Sequence, residues 1–157
     1  MRFLLLLACA ACAGSDGGKL TARLQRPHNP EERFAVAARA KYCRGSHGVL
    51  VDAASETGNG LLLWLRGDSL APGEYPLSTA SDTTAGRAAT ASFRYMTGDI
   101  GHGLALDSGS VRLAAGPPRL AGDIVGVGTE LGNLQRVTVI AHFAGVAVTD
   151  TTTCAPS

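Results

Sequence analysis

A chain of 157 residues, 45% of them apolar and 17% charged, has room for one self-sufficient hydrophobic core but little room for two. Its 14 basic and 13 acidic side chains are scattered singly, which excludes the charged block that would track a nucleic-acid backbone. Twenty glycines and short Val/Thr runs such as residues 136–140 point to turns and strands, although abundant alanine leaves helix open on composition alone.

The chain begins Met1, Arg2, followed by an apolar run over residues 3–8, then Cys9, Ala10, Ala11, Cys12 and a polar, glycine-rich stretch over 13–18. One positive charge, a short apolar run and small residues are the layout of an export signal. The run falls far below the ~20 residues that span a bilayer as a helix. Small residues directly before a cysteine resemble the lipobox of bacterial lipoproteins. That resemblance implies a diacylglycerol on the cysteine thiol and cleavage just before it. Cys12 leaves the longer apolar region and is the expected lipidation site; Cys9, preceded by Leu6, Leu7 and Ala8, is the alternative. An ordinary cleaved signal without lipid is the competing reading. Cys9 and Cys12 also spell a CxxC pair, but redox chemistry needs a helix N-terminus within a βα scaffold, which a leader does not supply. The expected organisation is a signal peptide over 1–11, a lipidated cysteine and flexible tether over 12–19, and one domain over 20–157.

Within that domain residues 20–25 read as a first strand. Residues 33–43 follow a helix-like start at Asn29 and Pro30, yet Phe34, Val36, Ala38, Ala40 and Tyr42 alternate with Arg33, Ala35, Ala37, Arg39 and Lys41. That period of two favours strand over helix. Residues 48–53 and 60–66 flank a turn-rich segment and read as a hairpin. The run 61–65, apolar on both faces, suits a central strand covered on both sides, with Trp64 in the core. Short strands are expected at 74–77, 88–96, 102–107 and 110–114, the last two flanking a tight turn, and then at 119–127 and 135–149. Gly145 marks a bulge or bend in the last of them. With no βαβ alternation and no fixed-period repeat, the expected fold is all-β, a single antiparallel β-sandwich or jelly-roll-like domain of no identified family.

Cys43 and Cys154 are the cysteines left beyond the leader, and in an exported chain they are expected to pair as a disulfide; two unmodified thiols are the alternative. Gly67, Asp68, Ser69 and Leu70 spell the signature of a serine hydrolase group, but no Asp-x-x-His or Gly-x-Asn-Asp block supplies a base or oxyanion donors. The letters read as a polar turn. Arg66, Gly67 and Asp68 match an adhesion tripeptide too short to carry information, and Ser46 and His47 lack a nucleophile-elbow setting. His28, His47, His102 and His142 show no metal-ligand spacing and read as scattered. The glycines at 98–103 and 126–128 lack the strand-to-helix context of a phosphate cradle. Trp64, Tyr42, Tyr75, Phe93, Tyr95 and Phe143 are expected in the core rather than on a sugar-stacking platform. No catalytic residue, metal or cofactor is expected. The function expected is a membrane-anchored, non-catalytic envelope module binding a glycan or protein. The alternatives are an inhibitor or accessory subunit acting through loops 26–32 or 78–87 and, more weakly, a small hydrolase using Ser69.

Overall fold

The computed structural model describes residues 17–44, 48–67, 69–79 and 86–152. Cys9, Cys12, His47, Asp68 and Cys154 lie outside the described residues, as does most of the 78–87 loop. None of the described residues is helical. Nine strands follow one another: β1 (Gly18–Gln25), β2 (Glu32–Cys43), β3 (Gly48–Ala54), β4 (Gly60–Arg66), β5 (Gly73–Pro76), β6 (Ala88–Thr97), β7 (Ile100–Ala115), β8 (Arg119–Glu130) and β9 (Arg136–Thr152). Residues 33–43 are therefore strand.

These strands form one sheet in the order β5-β7-β6-β4-β3-β2-β1-β9-β8, and β8 also pairs with β7. The ring closes: β1, β2, β3, β4, β6, β7, β8 and β9 make an eight-stranded antiparallel barrel of up-and-down topology. The antiparallel all-β expectation holds at that level, but one sheet closed on itself stands where a sandwich or jelly roll was expected. The reason lies in what points inward. Leu20, Ala22 and Leu24 of β1, Val36, Ala38 and Ala40 of β2, and Ala89, Ala91 and Phe93 of β6 alternate with exposed or half-buried neighbours. Small residues predominate among them, so a single narrow barrel fills with one set of side chains. On β8, Gly122, Gly126 and Gly128 replace inward side chains altogether. A Cβ at Gly126 would lie 2.7 Å from Leu77 Cδ1, and one at Gly122 would lie 2.8 Å from the Phe143 ring. The glycines at 126–128 thus admit neighbours rather than a phosphate. Lys19, Thr21, Arg23, Arg39 and Arg94 point outward, the reverse of the apolar outer band of a membrane-spanning barrel.

Three irregularities reset the strand phase. In β9 an extra residue opposes β2 between Lys41 and Cys43, while β2 keeps its register against β3, with Tyr42 beside Val49 and Cys43, 0% exposed, beside Gly48. In β7 the register shifts between Leu106 and Ser108, with Gly109 at φ 111°. The tight turn expected there is a bulge in one continuous strand. In β9 the expected bend occurs at Gly145, φ 65°.

The run 61–65 is a barrel wall rather than a doubly covered strand. Leu61, Leu63 and Leu65 are buried, Leu62 is 47% exposed, and Trp64 is half-buried on the outer face. Its indole lies against Gly48, where a Cβ would sit 3.2 Å from both Nε1 and Cε2. Tyr42 is 39% exposed at the end of β2, while Tyr75, Phe93, Tyr95 and Phe143 are core as expected.

The meander gives the barrel two distinct ends. Strand β1 starts at one end, where β2 ends, β3 begins, the β7–β8 turn lies and β9 ends. The loops 26–31, 55–59, 98–99 and 131–135 gather at the other.

Candidate functional site

Where the inward rows of β6, β7 and β8 reach the end bearing loop 131–135, they stop being apolar. Tyr95, His102 and Glu130 project inward there, each continuing the alternation of its strand. Glu130 is 0% exposed, the one fully buried charged residue among those described. Such a charge needs a partner, and His102 Nδ1 provides it by donating to Glu130 Oε1. The other ring nitrogen of His102, Nε2, lies 2.5 Å from the Thr97 hydroxyl oxygen. The imidazole stacks on Tyr95, centroids 4.9 Å apart and planes 16° from parallel. Arg26 closes the cluster from the β1–β2 loop, its guanidinium 5.8 Å from the centre of the Tyr95 ring.

Three buried polar atoms in this cluster have no hydrogen-bond partner: Arg26 Nε, Tyr95 Oη and Glu130 Oε2. Burial, and then the nearby Glu130 carboxylate, pushes the Tyr95 phenol up to about 12. A hydroxyl, imidazole and carboxylate in series are the parts that polarise a nucleophile in acyl-transfer enzymes. Here the hydroxyl belongs to Thr97 on the inward side of β6, and the chain of bonds compensates a buried charge.

Above the cluster sits a braced rim. The β8–β9 turn is held by Glu130 N–H donating to Gln135 O (2.8 Å), Leu134 N–H to Glu130 O (3.1 Å) and Leu131 N–H to Gly103 O (2.8 Å). Leu131 is 72% exposed and Leu134 78%; Ile100, at the β6–β7 turn of the same end, is 65% exposed. Leu134 and His28 are the described non-glycine residues with positive φ, at 58° and 61°, and both sit in loops of this rim. Such conformations cost free energy and persist where the surroundings enforce them. Loop 26–31 is ordered by its own bonds: Gln25 Nε2 donates to Arg26 O (2.7 Å) and Asn29 O (2.8 Å), and Asn29 Nδ2 to Pro27 O (2.9 Å). Arg26 pairs with Glu32 at 3.9 Å, and Arg33 with Glu31.

The histidines expected to be scattered are in part paired with acids. His102 joins Glu130, and on the outer face His142 Nδ1 lies 2.9 Å from Asp123 Oδ1. Sequence reasoning missed the first pair because its members are 28 positions apart. The available signal was polarity at the inward positions nearest one barrel end, His102 near the start of β7 and Glu130 at the end of β8. Ser69 is exposed, and among the described residues no histidine is hydrogen-bonded to it; its carbonyl accepts from Tyr75 Oη at 3.4 Å. Among the described residues no group of three or more His, Cys, Asp or Glu side chains is placed to hold a metal ion. A shallow depression over the β3–β4 hairpin, lined by Asp52, Ser55, Asn59, Leu62 and Arg94 among others, is open to solvent. No protein-family model matches the chain, nor does any curated protein or any solved structure.

Proposed function

We propose that this chain is an envelope lipoprotein, lipidated at Cys12 with Cys9 as the alternative, whose barrel works as a non-catalytic binding module through the rim bearing Leu131 and Leu134. The observation that carries this reading is Leu134: an apolar side chain 78% exposed on a residue at φ 58°. Exposure and left-handed backbone are two costs at one position, and neither contributes to the core. A binding surface accounts for both. The rim lies at the barrel end opposite the start of β1, so a lipid on the preceding tether would leave it facing away from the membrane.

A disulfide between Cys43 and Cys154 belongs to the same reading. Cys43 is buried, and β9 runs parallel to β2 there with Thr152 opposite Cys43, which brings the chain to within two residues of Cys154. The ordered loop 26–31 on the same rim favours, as a second reading, an inhibitor or accessory subunit that inserts this loop into a partner protein.

Mass spectrometry of the mature N-terminus tests the anchor: an acylated Cys12 is expected, and a terminus without acyl mass overturns it. A photoreactive side chain at Leu134, compared with one at Arg112 on the barrel flank, tests the rim in intact envelopes. Crosslinks from position 134 alone are expected. Equal crosslinking from both, or none from 134, overturns the rim as the binding surface.

A further inference from the structure

The outer wall made by β1 and β2 carries a second surface. Its basic residues are spread over positions 19–41 of the chain, and the sheet makes them neighbours. On β1, Lys19 and Arg23 stand either side of Thr21. On β2, Arg33 stands on one side of Ala35 and Ala37, with Arg39 and Lys41 on the other, and all these residues are exposed. Among the described residues no Asp or Glu occupies an outward position of either strand. Two acids flank the stripe: Glu31 accepts from Arg33 Nε, and Asp52 of β3 stands beside Arg39. Lys19, Arg23, Arg39 and Lys41 have no ion-pair partner among the described residues.

Two features mark this stripe as more than a solvated face. Arg23 lies directly opposite Arg33, and like charges so placed, with Cβ atoms about 4.5–5.5 Å apart, destabilise a sheet. An anion held between the two guanidiniums would turn that repulsion into binding. The stripe is also long and narrow. From Arg33 to Lys41 it runs about 26 Å, at about 3.3 Å per residue, across two strands about 5 Å apart. The small side chains of Ala35, Ala37 and Thr21 keep its middle low between the cations.

We propose that this stripe binds a flexible linear polymer carrying a phosphodiester in each repeat and no bases, such as a polyol phosphate of a cell wall. The inference goes beyond the rim and the lipid anchor and needs neither. A chain of anions matches a row of cations over its whole length, which a single ion does not. Arginine, three of the five cations here, presents forks that suit phosphate oxygens. A tetrahedral phosphodiester turns its two charged oxygens apart, so Arg23 and Arg33 can share one group from adjacent strands, whereas a carboxylate is filled by one fork. The outward positions of β1 and β2 hold no aromatic ring. Nucleic-acid bases therefore have nothing there to stack on, and a bilayer interface finds no aromatic anchor.

Full-length protein in nonionic detergent is titrated with fluorescent poly(glycerol phosphate) chains at about 50 and about 200 mM NaCl. Affinity is expected to fall roughly tenfold to a hundredfold across that range, as for about four neutralised phosphates. Arg23→Ser combined with Arg39→Ser should weaken binding by about tenfold or more at the lower salt. Thermal stability should be kept, since the repulsion opposite Arg33 is relieved. Arg94→Ser combined with Arg112→Ser removes the same charge from β6 and β7 and should leave affinity nearly unchanged. Chains that do not bind, or that bind the two double variants equally, overturn the stripe as a binding surface. Equal binding of single-stranded DNA, of alginate or of phosphatidylglycerol vesicles, lost in the Arg23–Arg39 variant, overturns the phosphodiester polymer as its occupant.

Discussion

The backbone amide of Leu134 donates to the carbonyl of Glu130 at 3.1 Å, so the most exposed large apolar side chain described stands on a turn fixed by the one fully buried charge. The rim and the polar plug of the barrel are thereby one mechanical unit. The Glu130 side chain is fastened inside through His102, and its main chain fastens the turn outside.

If the conformation of Leu134 is kept for binding, relieving it should stabilise the protein alone. Asparagine tolerates the left-handed region that leucine resists. Leu134→Asn is therefore expected to raise unfolding stability in urea by ~0.5–1 kcal/mol while abolishing rim-dependent crosslinks. A loss of stability with crosslinks retained would contradict this.

The His102–Glu130 pair should be costly to break from either side. His102→Ala leaves a carboxylate buried without its donor, and removing one member of a buried pair costs on the order of 3–5 kcal/mol. Replacing both with leucine should cost less than either single truncation, because no uncompensated charge remains. Chemical denaturation of the two single variants and the double variant reads this directly. A single variant within about 1 kcal/mol of the parent would show that the plug does not hold the barrel end.

Tyr95 sets an alkaline limit. Its phenol is pushed up to about 12 in the fold, against an ordinary value of 10.0. Between those values the folded state retains a proton that the unfolded state has lost, so stability must fall as pH rises through that window. Below it the contribution is fully present. Tyr95→Phe should flatten this alkaline loss, because it removes the phenol whose proton the fold retains. Stability curves between pH 9 and 12 that coincide for the two proteins would refute the assignment.

Strand alternation made most of this barrel readable. Leu20, Ala22 and Leu24, or Val36, Ala38 and Ala40, identify their own faces without any structure. Alternation says nothing about which strand returns beside which, so a closed barrel and a sandwich look alike until β9 is placed next to β1. Trp64 was misplaced for a related reason: Leu62 and Trp64 occupy outward positions of an apolar run, and composition cannot distinguish a doubly covered strand from a barrel wall. At half burial, Trp64→Ala is expected to cost about 1–2 kcal/mol rather than the 3–5 kcal/mol of a core indole. The site was least legible, because Thr97, His102 and Glu130 become neighbours only through the β6–β7 and β7–β8 pairings.

The disulfide joins the expected compartment to the observed register. Cys43 ends β2 at 0% exposure, and Thr152 lies opposite it on the parallel strand β9. Cys154 follows two residues later in the sequence. Two residues reach at most about 7 Å, so the chain from Thr152 is short enough to keep Cys154 near Cys43, whose Cα a bridge requires at about 4.4–6.8 Å. The bond would close a loop of about 110 residues and, on chain-entropy grounds, stabilise by about 4–5 kcal/mol. It would also lock the fork where β2 and β9 meet around the start of β1. Non-reducing peptide mapping of envelope protein should find the two cysteine peptides joined, and Cys154→Ser should lower the melting temperature. Recovery of both cysteines as free thiols from the envelope would refute the bridge. The parallel β2–β9 pairing would then have to hold the fork by its main-chain hydrogen bonds and the Thr149 hydroxyl, which donates to Ala40 O at 3.1 Å.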